Sequence, residues 1–359
     1  MVPNGLSYLR HFLKPSLFQV IYHITYACNA HCPFCIHHSY LNARTNQELS
    51  LEELDKILPH FPSFPWLLLS GGEPFLRGDI SKIIEMFHRH CKVAHVTITS
   101  NGMFCDRVTA CIQDVFSRIP DITLNFSFSI DAIGEDHDRI RATPNNYRMT
   151  LETIRAVKEL RSQHPGLSLK AHTVLTRENF NQFDQITDAI YELGMDLHTF
   201  DFVRPTPGNA SQDLHALTVQ EVSGMVAKIH ENNKRYKGYQ NLGLHSALIY
   251  KVSQAVMEHN YDLYPKFMTE KTQVIPCQAP ERNLIMNPYG DVGFCELRDF
   301  IGNLRQFDYN LETLLTSETA KQLADSIHRK ECYCFHPCYQ QVNVLFSKPE
   351  LIKAFLDKP

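Results

Sequence analysis

The chain has 359 residues, 43% of them hydrophobic and 21% charged, which is the balance of a globular protein with one large core or two smaller ones and excludes general disorder. Lys plus Arg come to 35 and Asp plus Glu to 39, a formal charge of −4, so no basic field is available for a nucleic-acid backbone or an anionic membrane. No run approaches the ~18 apolar residues of a membrane span, and Met1 to Arg10 lacks an apolar signal core, so the expected location is cytoplasmic.

From residue 18 onward, apolar β-type runs alternate with helical patterns, the mark of repeated βα units. The predicted strands are 18–25, 66–70, 94–100, 122–130, 167–175 and 198–203, with helices near 51–58, 80–90, 106–118, 149–163 and 182–193 between them. Ser50-Leu51-Glu52-Glu53 forms a capping box at the first helix, and Gly194 closes the fifth. A sixth helix opens at Thr218-Val219-Gln220-Glu221. Right-handed crossovers make this an α/β protein with a parallel sheet, either open or curled into an incomplete barrel, and function gathers at the strand C-termini. After residue 210 the rhythm stops and a helical pair near 218–236 and 245–259 follows. Beyond a boundary near 265, a β-hairpin turns at Pro288-Tyr289-Gly290-Asp291, a helix runs near 311–328, and a cysteine-rich segment comes last. The expected organisation is an extension over 1–17, the βα unit over 18–210, a helical connection over 211–264, a cysteine-rich unit over 265–345 and a tail over 346–359.

Eleven cysteines are many for a cytoplasmic protein, and they point to metal or redox chemistry instead of disulfides. Cys91, Cys105 and Cys111 are scattered and read as small core residues. Cys28, Cys32 and Cys35 lie within one short loop after the first strand, enough to wrap three corners of a cubane cluster and leave the fourth iron open. On the triplet alone, a structural zinc completed by His31, His37 or His38 stands equally open.

The CxxxCxxC loop followed by Gly71-Gly72-Glu73-Pro74 after the second strand closely resembles the radical SAM superfamily. That resemblance implies a partial (β/α)6 TIM-like barrel whose rim carries a 4Fe-4S cluster. S-adenosylmethionine would chelate the open iron and be cleaved reductively to a 5′-deoxyadenosyl radical. It also implies a flavodoxin- or ferredoxin-type reductant. Gly71, Gly72, Glu73 and Pro74 resemble the family's segment that holds the methionine ammonium, although a GGEP sequence alone is also a simple turn. Ser100 and Asn101 look like the ribose-contacting segment, with a plain turn as the alternative. Ser129, Asp131 and Arg141 look like segments reaching the ribose and the methionine carboxylate, with Arg141 favoured over Arg139. Phe34 stands where the family places an aromatic against adenine, its alternative being packing.

The second cysteine group resembles the SPASM and twitch extensions of that superfamily. Cys277, Gly290 and Cys295 fit C-x12-G-x4-C, and Cys332, Cys334 and Cys338 form C-x-C-x3-C with no cysteine after them. Five thiols suffice for one auxiliary 4Fe-4S cluster but not two; a zinc knuckle is the alternative. All five are expected to gather in space. His172 and His198 read as core or rim hydrogen-bonding residues, Arg204-Pro205 as a strand end near the substrate or a rim lid, and the charged helix 151–161 as a solvated face. The expected activity is hydrogen abstraction from an unreactive C–H position, with the auxiliary cluster accepting an electron or anchoring substrate. With only about seventeen residues before the first strand, too few for a leader-binding fold, a small molecule is favoured over a peptide. The rival class is a non-catalytic iron-sulfur or zinc-binding protein.

Overall fold

The computed structural model describes residues 10–43, 47–204, 212–236 and 244–356. The first nine residues of the expected N-terminal extension, and Pro205, lie outside them. The chain alternates β1 (Gln19–Thr25), α1 (Leu51–Ile57), β2 (Trp66–Gly71), α2 (Ile80–Cys91), β3 (His95–Ser100), α3 (Cys105–Arg118) and β4 (Thr123–Ser129). It continues through α4 (Glu135–Ile140), α5 (Asn146–Arg161), β5 (Leu167–Leu175), α6 (Phe183–Glu192) and β6 (Leu197–Phe202). Two longer helices, α7 (Val219–Asn233) and α8 (Leu244–Glu270), lead to α9 (Ala279–Arg282) and the short strands β7 (Asn283–Met286), β8 (Asp291–Gly293) and β9 (Gly302–Asn303). The chain closes with α10 (Leu311–Leu315), α11 (Glu318–His328), α12 (Pro337–Phe346) and α13 (Lys348–Leu356).

The strands form one sheet in the order β6-β5-β4-β3-β2-β1-β7-β8-β9. The first six are parallel and follow one another across the sheet, as short right-handed crossovers require. The sheet curls without closing, an incomplete barrel. Its outer face is apolar and covered by helices. On α2, Ile80, Ile83, Ile84, Phe87 and Cys91 recur at helical spacing and are buried, each large side chain contributing roughly 1.5–3 kcal/mol. Phe87 also packs against the rings of Tyr22, Phe61 and Phe64. Phe87→Ala would therefore open a cavity costing about 3–5 kcal/mol. The inner face is polar. Along β5, Leu169, Ala171, Thr173 and Leu175 are buried toward the helices, whereas Lys170, His172 and Val174 are only half-buried. Their registers place Ser127 beside Lys170, Ser129 beside His172, Thr199 beside His172, and Asp201 beside Val174.

Three features of the C-terminal part differ from the sequence expectation. The hairpin is not a separate layer, because β7 pairs in parallel with β1 from Gln19↔Asn283 to Tyr22↔Met286 and so extends the barrel sheet. Helix α8 runs through Pro265, so the boundary expected near 265 falls inside a helix. Buried Tyr261, Tyr264 and Phe267 hold both sides of the proline in a second core with Phe200, Phe202 and Val226, and that packing outweighs the roughly 3 kcal/mol penalty of a helical proline. The helix expected over 311–328 is two, since Ser317 leaves helical geometry to accept a hydrogen bond from Ala320 N and cap α11. Among the described residues, no helix is long and apolar enough to cross a membrane.

Candidate active site

The cysteine loop leaves the C-terminal end of β1, and its conformation is fixed from below by the turn after β2. Gly72 N and Glu73 N donate to the carbonyls of Thr25 and Ala27, each at 2.8 Å. A Cβ on Gly71 would lie 2.1 Å from the Thr25 oxygen, and one on Gly72 would lie 2.1 Å from the Ala27 oxygen, while Gly71 also has φ +127°. Both glycines are therefore required by the approach of one backbone to another. Glu73 then turns inward. Its carboxylate accepts from Phe75 N (3.0 Å), Ser100 Oγ (2.9 Å) and Asn101 N (2.8 Å), which locks the end of β2 to the end of β3. Pro74 is buried at the start of the next turn. Asn101 completes the brace, its Nδ2 donating to Asn29 Oδ1 in the cysteine loop at 2.8 Å. Sequence reasoning missed Asn29; its position inside CxxxCxxC was the available signal.

Backbone N–H groups of Ala30 and His37 reach the sulfurs of Cys28 and Cys35 at 3.4 Å. Burial pushes the Cys28 thiol up to about 11 and Cys35 up to about 12, and it raises Cys32 against the pull of Arg141. Without a cation these thiols stay protonated and are poor nucleophiles. The nearby fixed cation is Arg141. Burial would lower its pKa, but Cys32, Asp131, Cys28 and Cys35 together raise it. Its Nη1 donates to Asp131 Oδ2 at 2.8 Å, and its carbonyl accepts from His31 N. Asp131 is fully buried and also accepts from Val174 N at 2.8 Å, so its carboxylate is occupied in aiming Arg141. Arg139, in contrast, is an exposed partner of Asp136. Ser129 ends β4 on the inner face, and Phe34 is buried with the core beneath the loop. The structure thus brings Cys28, Cys32, Cys35, Glu73 and Arg141 to one rim, with Ser100, Asn101 and Asp131 as braces.

The tail docks on the same rim. Glu296 follows Cys295 and accepts from His23 Nε2 of β1 (2.8 Å) through one oxygen and from His336 Nε2 through the other. Although burial opposes it, these two imidazoles hold the Glu296 carboxyl well below the usual range. Tyr339 Oη accepts from Glu296 N at 3.0 Å. Neither Glu296 nor His336 stood out in the sequence, though both are neighbours of cysteines.

Four of the five tail thiols share one cleft. Cys277, Cys295, Cys332 and Cys334 line it with Gln273 and Gln340, around about 440 Å³ of atom-free space that includes its open mouth. Gln273 Nε2 lies 3.6 Å from Cys332 Sγ and Gln340 Nε2 lies 3.5 Å from Cys334 Sγ, amide donors suited to thiolates. Cys338 is not in this group. It sits beside Lys170, Arg204 and His336. The cause is local: Cys338 lies within α12, whereas Cys332 and Cys334 lie in the extended segment before it.

Within the barrel, His172 Nδ1 is hydrogen-bonded to Thr199 Oγ1 (3.0 Å), and burial lowers its pKa to about 4, so it is neutral. His198 points to the outer face and pairs with Thr173 Oγ1 at 2.8 Å. Arg204 is paired with Asp201 and faces the tail near Cys334 and Cys338. A separate groove lined by His230, Glu258 and Asp262 lies among α7, α8 and α13, away from this rim.

Residues 22–190 match the family profile described as "Radical SAM superfamily". Over 192 residues, the chain is 26% identical to the Fe-coproporphyrin III synthase of Methanosarcina barkeri, covering 52% of this chain and 44% of that protein. Over 221 residues, it is 24% identical to a probable GTP 3′,8-cyclase of Methanococcus maripaludis, covering 59% of this chain and 70% of that one. The chain thus spans less than half the length of the first of these relatives. Among solved structures, anSMEcpe with bound AdoMet and Cp18Cys peptide superposes with a TM-score of 0.59 at 14% identity, covering 96% of this chain and all of that one; at that identity the likeness shows the fold. The open parallel barrel and the family match over the same stretch agree that residues 22–190 form a radical SAM domain.

Proposed function

We propose that Cys28, Cys32 and Cys35 hold a 4Fe-4S cluster with one iron open to S-adenosylmethionine, and that the enzyme abstracts hydrogen from a substrate lying in the polar barrel interior. The observation that carries this reading is the meeting of the three thiols with Arg141 on a loop braced by Glu73 and Asn101. The donor set fits the cofactors. Three soft thiols suit iron and leave one site unfilled, and Arg141 offers a guanidinium to a carboxylate. When bound, cluster and S-adenosylmethionine supply a 5′-deoxyadenosyl radical that takes a hydrogen atom from substrate. The chain's own residues position and insulate. Asp131 aims Arg141 at the methionine carboxylate, Gly71 and Gly72 keep the cysteine loop in register, Ser129 and Phe34 line the cofactor's path, and Glu296 with His23 and His336 seals the tail to the rim.

Cys277, Cys295, Cys332 and Cys334 are proposed to hold one auxiliary 4Fe-4S cluster for electron acceptance or substrate anchoring, supported by their shared cleft and the amides on its sulfurs. The inner face carries Lys170, His172, Asp201 and Arg204, a lining suited to a polar small molecule. A peptide substrate is the second reading, favoured by the likeness to anSMEcpe, which was solved with a peptide bound. The proposal is tested by anaerobic reconstitution, iron and sulfide analysis, and incubation with S-adenosylmethionine and dithionite. The wild type should release 5′-deoxyadenosine, and Cys28→Ala, Cys32→Ala and Cys35→Ala should each abolish release. Undiminished release by the triple variant overturns the assignment.

A further inference from the structure

Among the described residues, five arginines that are buried or partly buried are compensated. Arg77 pairs with Asp79, Arg141 with Asp131, Arg161 with Asp196 and Arg204 with Asp201. Arg282 donates to the His11 carbonyl at 2.8 Å and lies 3.6 Å over the Phe346 ring. Half-buried Lys170 has no such partner among the described residues. The register of β5 places it on the inner face beside Ser127 of β4 and Leu197 of β6. Its ammonium makes no hydrogen bond or ion pair among the described residues, and it is not among those with an unprinted partner. The stretches outside the description contain a single acidic side chain, Asp357.

The surroundings explain what such a cation can do. Burial pulls Lys170 below the ordinary lysine range, and the ionisable neighbour opposing that fall is Cys338, the tail thiol left out of the four-cysteine cleft. Two residues along the same face stands His172, whose Nδ1 is engaged by Thr199; among the described residues its other ring nitrogen has no hydrogen bond. A half-buried ammonium without a protein counter-charge is poorly compensated by the fold and can take one from a bound group. On the inner face of the barrel an oxyanion would supply the missing charge through a charge-assisted hydrogen bond, with His172 as a neighbouring donor or acceptor.

We propose that Lys170 anchors an oxyanion, a carboxylate or a phosphate, of a small-molecule substrate inside the barrel. This rests on the reading that the barrel interior is the substrate's space. The test measures the apparent thermal midpoint of the cluster-loaded, S-adenosylmethionine-bound protein with succinate or inorganic phosphate, against sodium chloride at equal ionic strength. The wild type should gain on the order of 3 °C at saturating anion; Lys170→Arg should keep the gain and Lys170→Met should lose it. A gain with succinate alone assigns a carboxylate, and a gain with phosphate alone assigns a phosphate. No gain in the wild type with either, or an equal gain in Lys170→Met, overturns the proposal. Should Lys170→Met fail to fold, trace acetylation of wild-type Lys170, read by peptide mapping, decides instead: the anion protects that lysine selectively or the proposal falls. Reductive S-adenosylmethionine cleavage by the same wild-type sample tests the underlying reading. Its loss breaks that reading, whereas intact cleavage with no anion effect breaks only the assignment to Lys170.

Discussion

Gly72 is where one methyl group should do the most damage to the rim without touching a thiol. In Gly72→Ala the new Cβ would stand 2.1 Å from the Ala27 oxygen and 2.7 Å from its carbonyl carbon, against 3.4–4 Å for ordinary contact. Backbone, not a flexible side-chain tip, is in the way, so the turn must retreat by more than an ångström. That breaks the 2.8 Å bonds from Gly72 N to Thr25 O and from Glu73 N to Ala27 O, each worth about 1 kcal/mol. It also drags the Glu73 carboxylate from Ser100 and Asn101, and hydrogen bonds to a charged acceptor are worth about 1.5–3 kcal/mol. With relaxation, the expected loss is on the order of 3–5 kcal/mol, or roughly 4–7 °C in thermal midpoint for a chain of this length. Because Ala27 precedes Cys28, rim iron should fall with it. The control is Gly78→Ala, where nothing lies within 4 Å of the added carbon and the change should stay within about 0.5 kcal/mol. Thermal unfolding and iron analysis of the two variants side by side decide the matter. A Gly72→Ala protein as stable and as iron-replete as Gly78→Ala would refute the clamp.

Arg141→Met should cost about 3–5 kcal/mol in urea unfolding, because it leaves Asp131 buried without a counter-charge; Arg141→Lys should recover much of that stability but not S-adenosylmethionine affinity, read by equilibrium dialysis. Cys338→Ser should keep about eight irons per chain, whereas Cys334→Ser should lose the tail cluster and keep about four, since only the latter thiol lies in the cleft. His230, between α7 and α8, is pushed up to about 9 from 6.5 by hydrogen bonds to Asp262 and Glu258. With the folded value above the unfolded one, its stabilisation is complete below pH about 6.5 and disappears as pH rises through about 9. His230→Gln should therefore lower stability at pH 6 by about 1–2 kcal/mol after solvent screening and converge with the wild type near pH 10, by urea titration across pH.

The barrel was legible because its signals are local. Apolar runs ending in Gly-rich or polar turns gave the strands, and the Ser50 capping box appears as drawn, with Ser50 and Glu53 bonded reciprocally. The attachment of the tail was not legible. Val20 pairs with Leu284, and parallel pairing across such a span leaves no mark on either segment. The boundary expected near 265 falls inside α8, whose buried tyrosines hold the helix through Pro265. At the site, cysteine spacing marked the thiols but could not separate Cys338 from the other four, because that separation arises where α12 begins. The pairing of the Asp131 carboxylate with Arg141 was not legible either, because it joins residues ten apart through the α4 turn. Lys170 did not stand out in the sequence, because its lack of a counter-ion emerges only when its neighbours across the barrel are in place.

The most direct test of the central claim is the electron paramagnetic resonance spectrum of a dithionite-reduced variant lacking Cys277, Cys295, Cys332, Cys334 and Cys338, recorded with and without S-adenosylmethionine. With the tail thiols gone, any cubane signal comes from Cys28, Cys32 and Cys35. The account predicts one reduced 4Fe-4S signal whose g values move when S-adenosylmethionine is added, as ligation at an open iron requires. An absent signal in an iron-replete, folded sample, or one indifferent to S-adenosylmethionine, would contradict it.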